Sequence, residues 1–77
     1  MVRYFAGARA AAGIAEEAVA AADLGELRAA LAERHGERLT TILGGCSFLV
    51  DGLSAREPTV PLTPTSTVDV LPPFAGG

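Results

Sequence analysis

Two glycines, Gly76 and Gly77, stand at the end of the sequence, directly after Pro72, Pro73, Phe74 and Ala75. Their chemistry would be that of a main-chain carboxylate. With no side chain at either position the carboxyl carbon is open to attack, and such a tail could thread a channel too narrow for a Cβ. The prolines stiffen its start and withhold amide donors from further sheet pairing, so the tail is expected to project extended from the body. Gly-Gly is also how an ordinary frayed terminus looks, and the dipeptide alone leaves both readings open.

The rest of the chain offers little chemistry of its own. It has one Cys, one His and no Trp, and its six basic residues are all Arg. No H-x-x-x-H or C-x-x-C pair exists, so no metal site is expected. Cys46 could relay sulfur as a thiolate, but its place just before an apolar stretch fits a small buried residue better. His35 precedes Gly36, where a cation favours the end of a helix, and no elbow motif surrounds any Ser. Gly44-Gly45 lacks the Lys and Ser/Thr of a phosphate loop and reads as a plain loop. The absence of Lys would leave an activated C-terminus no side-chain amine to acylate, but an Ala- and Arg-rich composition bias is the simpler account of it. If the protein takes part in chemistry, a partner is expected to supply the active site.

A body must position that tail, and its elements are legible. Val2-Arg3-Tyr4-Phe5 alternates in a β-rich composition, predicting a strand over 2–6 with Val2 and Tyr4 on one face and Arg3 and Phe5 on the other. The Ala-rich stretch from Gly7 to Gly13 is open between a helical turn and a loop. Residues 14–20 fit helix by composition, but we read them as a second strand hairpinned to the first. Asp23-Leu24-Gly25-Glu26 has the form of a capping box, and Leu24, Leu27 and Leu31 then form one apolar stripe, so a helix runs from here to Gly36. Arg38 to Gly45 is expected to be a connection that docks Leu39, Ile42 and Leu43 on the core. Ser47-Phe48-Leu49-Val50 followed by Asp51-Gly52 is a strand and a tight hairpin turn. Pro58 and Pro61 restrict the stretch from Leu53 to Leu62 to a short edge strand. Residues 67–71 make a last strand, inward at Val68 and Val70. One main helix crossing a small mixed sheet is an α+β roll.

The chain has 77 residues, a length that suits one domain with a single core, without repeats or an interdomain linker. Of its apolar residues, which are 49% of the chain, 15 are Ala, so the core must come from the others. A net charge of -3 argues against nucleic acid and suits a partner with a basic face. No apolar run is long enough for a membrane span or a signal peptide, and a cytoplasmic domain is expected.

Four segments carry a family resemblance that spans essentially the whole chain. They are Val2-Arg3-Tyr4-Phe5-Ala6, Leu24-Gly25-Glu26-Leu27-Arg28, Phe48-Leu49-Val50-Asp51-Gly52, and the ending Asp69-Val70-Leu71-Pro72-Pro73-Phe74-Ala75-Gly76-Gly77. Together they resemble the MoaD/ThiS family of ubiquitin-like sulfur carriers, and the Pro-Pro-x-x-Gly-Gly ending looks more like the molybdopterin-synthase branch than the thiamine branch. The resemblance implies a β-grasp fold, with residues 1–71 as the domain and 72–77 as the tail. It also implies a mechanism. An adenylating, E1-like enzyme uses ATP to activate the carboxylate of Gly77, a sulfur donor displaces AMP, and the thiocarboxylate delivers sulfur inside a partner such as the large subunit of molybdopterin synthase. No cofactor would be bound by the carrier itself. Delivery to thiamine, a tRNA or another metabolite would use the same chemistry, and a non-covalent β-grasp module is the reading from another class. In the β-grasp order Phe5 and Leu71 lie side by side on the outer face, suiting a docking patch with Leu49 as a third member. Phe74 would be an anchor on the tail and Pro72, Pro73, Ala75 and Gly76 would be contacts along it.

Overall fold

The computed structural model describes residues 1–73. β1 (Val2–Tyr4) buries Val2 and Tyr4 and exposes Arg3, the alternation expected of a strand with one face covered. It is shorter than residues 2–6, because Ala6 takes φ 48° and turns the chain into α1 (Ala6–Ala12). That helix settles the stretch left open: only Ala8 is fully buried, so Ala propensity rather than an apolar stripe makes it. Gly13, at φ 80°, ends it in the left-handed region.

The second strand shrinks from the expected 14–20 to β2 (Glu16–Glu17), paired antiparallel with β1. Tyr4 N–H donates to Ala15 O at 2.8 Å, but past Glu17 the chain leaves the ladder for the start of the main helix. That helix, α2 (Leu24–His35), has every early donor accounted for. Leu24 N–H donates to Val60 O at 3.0 Å, Gly25 N–H to Pro58 O at 2.9 Å, and Glu26 N–H to the Asp23 carboxylate at 2.7 Å. The approach of Pro58 leaves no room at Gly25, where a Cβ would stand 2.8 Å from Pro58 Cβ. Leu24, Leu27 and Leu31 are buried, each contributing about 1.5–3 kcal/mol of apolar burial.

The connection expected over 38–45 is instead a helix, α3 (Glu37–Leu43). Gly36 ends α2 with φ 75° and at once caps α3, donating to Ala32 O and accepting from Thr40 N–H. Thr40 and Thr41, poor helix formers, turn their hydroxyls onto the carbonyls of Gly36 and Glu37. Leu39 and Leu43, four apart, are buried.

β3 (Ser47–Val50) and β4 (Leu53–Ala55) form the expected hairpin, with Asp51 at φ 50° and Gly52 at φ 85°, as a mirror-type turn requires. β5 (Val68–Leu71) buries Val68 and Val70 and runs down the middle of the sheet, whose order is β2-β1-β5-β3-β4. Its pairing is parallel to β1 and antiparallel to β3, which makes the sheet mixed. All three helices contribute buried side chains to one core with the inner sheet residues Val2, Tyr4, Phe48, Val68 and Val70.

Candidate functional site

β5 carries the tail, and its register determines what surrounds the tail's root. Phe5 N–H donates to Val70 O at 3.2 Å, the last bond on the β1 side before the chain turns at Ala6. Phe5 thereby lies next to Leu71 on the outer face of the sheet, Phe5 39% exposed and Leu71 half-buried. Leu49 is also half-buried and on that face, but it pairs with Asp69; Leu71 pairs with Ser47. Leu49 is thus a diagonal neighbour of Leu71 rather than its direct partner. Pro72 is half-buried and Pro73 exposed, while the expected contacts Phe74, Ala75 and Gly76 and the reacting Gly77 lie outside the described residues.

Between the apolar residues sits an ion pair that the strand parity alone could have signalled, since Arg3 and Asp69 both point outward. Arg3 meets Asp69 in two hydrogen bonds, Nε to Oδ1 at 2.6 Å and Nη2 to Oδ2 at 2.9 Å. The hydrogen bond and the charge of Asp69 push the Arg3 pKa up. The Arg3 guanidinium also lies 5.9 Å from the Phe5 ring centroid, within cation–π range. A groove of about 240 Å³ runs beside it, lined by Arg3, Phe5, Arg9 and Glu16 among others. A larger cavity of about 440 Å³ opens at the opposite end of the sheet, where Val2 and Val68 begin their strands, and Leu71 does not line it.

The two side chains most able to do chemistry are engaged elsewhere. Cys46 is half-buried, its thiol donates to Ile42 O at 3.1 Å, and burial pushes its pKa up, the reverse of what a reactive thiolate needs. His35 contacts Glu17 through Nε2 and meets the Tyr4 ring edge-on, with centroids 5.7 Å apart. Glu17 also accepts from Tyr4 Oη at 2.6 Å and Arg34 Nη1 at 2.8 Å, so the cluster clasps β2 to the end of α2. Burial opposes ionisation of Glu17, but the hydrogen bonds from Tyr4, His35 and Arg34 outweigh it and hold its carboxyl below the usual range. Tyr4 shifts upward, because burial and the bond to Glu17 keep its proton in place. Sequence reasoning missed this clasp, since its members are joined only by folding. Among the described residues no group of three potential metal ligands occurs, and no helix is long and apolar enough to cross a membrane.

Comparison with known proteins fits this arrangement. The complex of subunits 1 and 2 of the molybdopterin-converting factor from Helicobacter pylori contains a chain 32% identical, with a TM-score of 0.75, over 99% of this chain and 95% of that one. SAMP1 from Haloferax volcanii is 21% identical with a TM-score of 0.77, covering 99% of this chain and 96% of its own, and shares the fold. No curated protein matches. The ThiS family model matches residues 2–77. From its first strand to its final glycine, the chain belongs to the ThiS family, the ubiquitin-like β-grasp sulfur carriers.

Proposed function

We propose that the protein is a sulfur carrier whose reactive group is the carboxylate of Gly77, and that it serves as the small subunit of a molybdopterin synthase. The observation that carries this reading is the 32% identity, over nearly the full length, to a chain of the molybdopterin-converting factor complex. Residues 1–71 are the docking body and 72–77 the tail that enters the partner. A carboxylate is a poor electrophile, so an E1-like enzyme first joins it to the α-phosphorus of ATP, releasing pyrophosphate and leaving a mixed anhydride. A sulfur nucleophile then forms the C–S bond as the C–O bond to AMP breaks, and the thiocarboxylate is a soft nucleophile toward the substrate held by the large subunit. The carrier binds no cofactor of its own; ATP belongs to the activating enzyme, and the carrier works in the cytoplasm.

Phe5 and Leu71 at the tail's root supply the apolar contact, with Leu49 beside it, and Pro72, Pro73, Phe74, Ala75 and Gly76 make contacts along the channel. Intact-mass measurement after incubation with the activating enzyme, ATP and a sulfur donor tests the reading. Replacement of one oxygen by sulfur, mapped to Gly77 and absent when Gly77 is deleted, is the expected result; an unchanged mass for the full chain would overturn it.

A further inference from the structure

The apolar surface of the outer sheet face is interrupted by charge. Arg3 and Asp69 are ladder partners on β1 and β5, with Phe5 and Leu71 at the next outward positions of the same strands and Leu49 opposite Asp69 on β3. A protein that covers Phe5 and Leu71 covers Arg3 with them, and the Arg3 side chain is 48% exposed against 11% for Asp69. Asp69 accepts from Nε and Nη2, along one side of the guanidinium. The hydrogens that remain, on Nη1 and the far side of Nη2, form a second fork. Among the described residues no acceptor meets that fork, Glu16 included, although Glu16 is the ladder partner of Arg3 on β2. Pressed against an apolar partner those donors would lose water and gain nothing, the costly case for a buried charge. A docked partner therefore has to bring an acceptor.

The groove beside Arg3 indicates which kind. Its charged walls are Arg3, Arg9 and Glu16, two cations to one anion in a chain whose net charge is -3. Asp69 is 8% exposed and both its oxygens already accept from Arg3, so little of its charge is offered outward. We propose that Arg3 is a specificity-determining residue of the docking face: Asp69 holds its guanidinium side-on, and the second fork receives a carboxylate, an Asp or Glu of the protein partner. This rests on the docking reading above. A planar fork matches both oxygens of a carboxylate, which a single backbone carbonyl cannot offer. Asp69, together with the Phe5 ring whose centroid is 5.9 Å away, restricts the guanidinium before binding, so less order has to be imposed on docking. A partner with Lys or Arg at this point would meet like charge and be rejected.

Benzoate and benzylammonium, one ring with opposite charges, probe the groove of the full ¹⁵N-labelled chain without any partner. Benzoate should give saturable shifts of the Arg3 Nε–H and of the Phe5 and Leu71 amides, and benzylammonium none there. The doubly neutral variant Arg3→Met/Asp69→Asn leaves no charge unpaired, and in it the benzoate shifts at Phe5 and Leu71 should vanish. Its Kd for the large subunit of molybdopterin synthase should rise about 30-fold or more. An equal response to both probes, benzoate shifts that survive in the double variant, or an unchanged Kd would overturn the proposal. Should the double variant not fold, Arg3→Lys keeps the charge and loses the fork: a Kd raised about tenfold supports the proposal, and one as tight as wild type overturns it. If the wild-type chain does not bind the large subunit, the docking reading falls, and benzoate alone decides whether Arg3 receives a carboxylate.

Discussion

On the helix side of the sheet, Val2, Tyr4, Phe48, Val68 and Val70 are at most 4% exposed; on the other side Phe5 is 39% exposed and Leu49 and Leu71 are half-buried. The same strands make both faces, with side chains alternating between them. The covered face gains from burying apolar area, and folding is complete there. The open face keeps apolar area that folding does not cover, around an Arg3–Asp69 pair whose exposed member makes it worth little in stability. Stability therefore resides on one face, the docking proposed above falls to the other, and substitutions should separate the two.

The largest effect is expected from Leu31→Ala on the covered side. Leu31 is fully buried, and removing it should cost about 2–5 kcal/mol in urea unfolding while the folded fraction still binds the partner normally. Phe5→Glu is the opposite case. Partner affinity should fall about 30-fold or more, as for loss of a central anchor, with unfolding free energy within about 0.5 kcal/mol of wild type. Unchanged binding would remove the open face from the account of docking.

Gly25→Ala asks how tightly the covered layer is closed. Ala favours a helix by about 1 kcal/mol over Gly, but a Cβ 2.8 Å from Pro58 Cβ must push away the segment that caps α2. A net loss of about 1–2 kcal/mol is expected; a gain in thermal stability would show that this segment yields cheaply. Glu17→Gln should be the mildest, about 1 kcal/mol, because Arg34 is 49% exposed and solvent screens it. Glu17 titrates lower in the folded chain than in the unfolded one, so its contribution is complete above the ordinary Glu range and disappears as pH falls through the folded value. Stability measured against pH should accordingly fall less steeply in acid for Glu17→Gln than for wild type.

Features with a local period were readable before folding: the inward set Val2, Tyr4, Val68 and Val70, the stripe Leu24, Leu27 and Leu31, and the Asp51-Gly52 turn. α1 was not, because Ala-rich sequence has no apolar stripe, and α3 was hidden behind Gly36, a stop signal that also starts the next helix. β2 was overdrawn, since Ala and Glu fit strand and helix alike and only the departing chain limits its length. At the site, parity placed Phe5 and Leu71 on one face. The Glu17 clasp joins residues far apart in sequence, so no local pattern marks it.

The strand order has a consequence for how the molecule is made. β5 is the last of the described strands in the chain, yet it is the middle strand of five. During synthesis β1 and β3 must wait for it, each lacking the neighbour that closes the ladder, and the sheet can be completed only after nearly the whole chain has left the ribosome. A truncated product would lack the centre of its sheet along with its tail. Only a finished domain would carry the tail proposed to be activated.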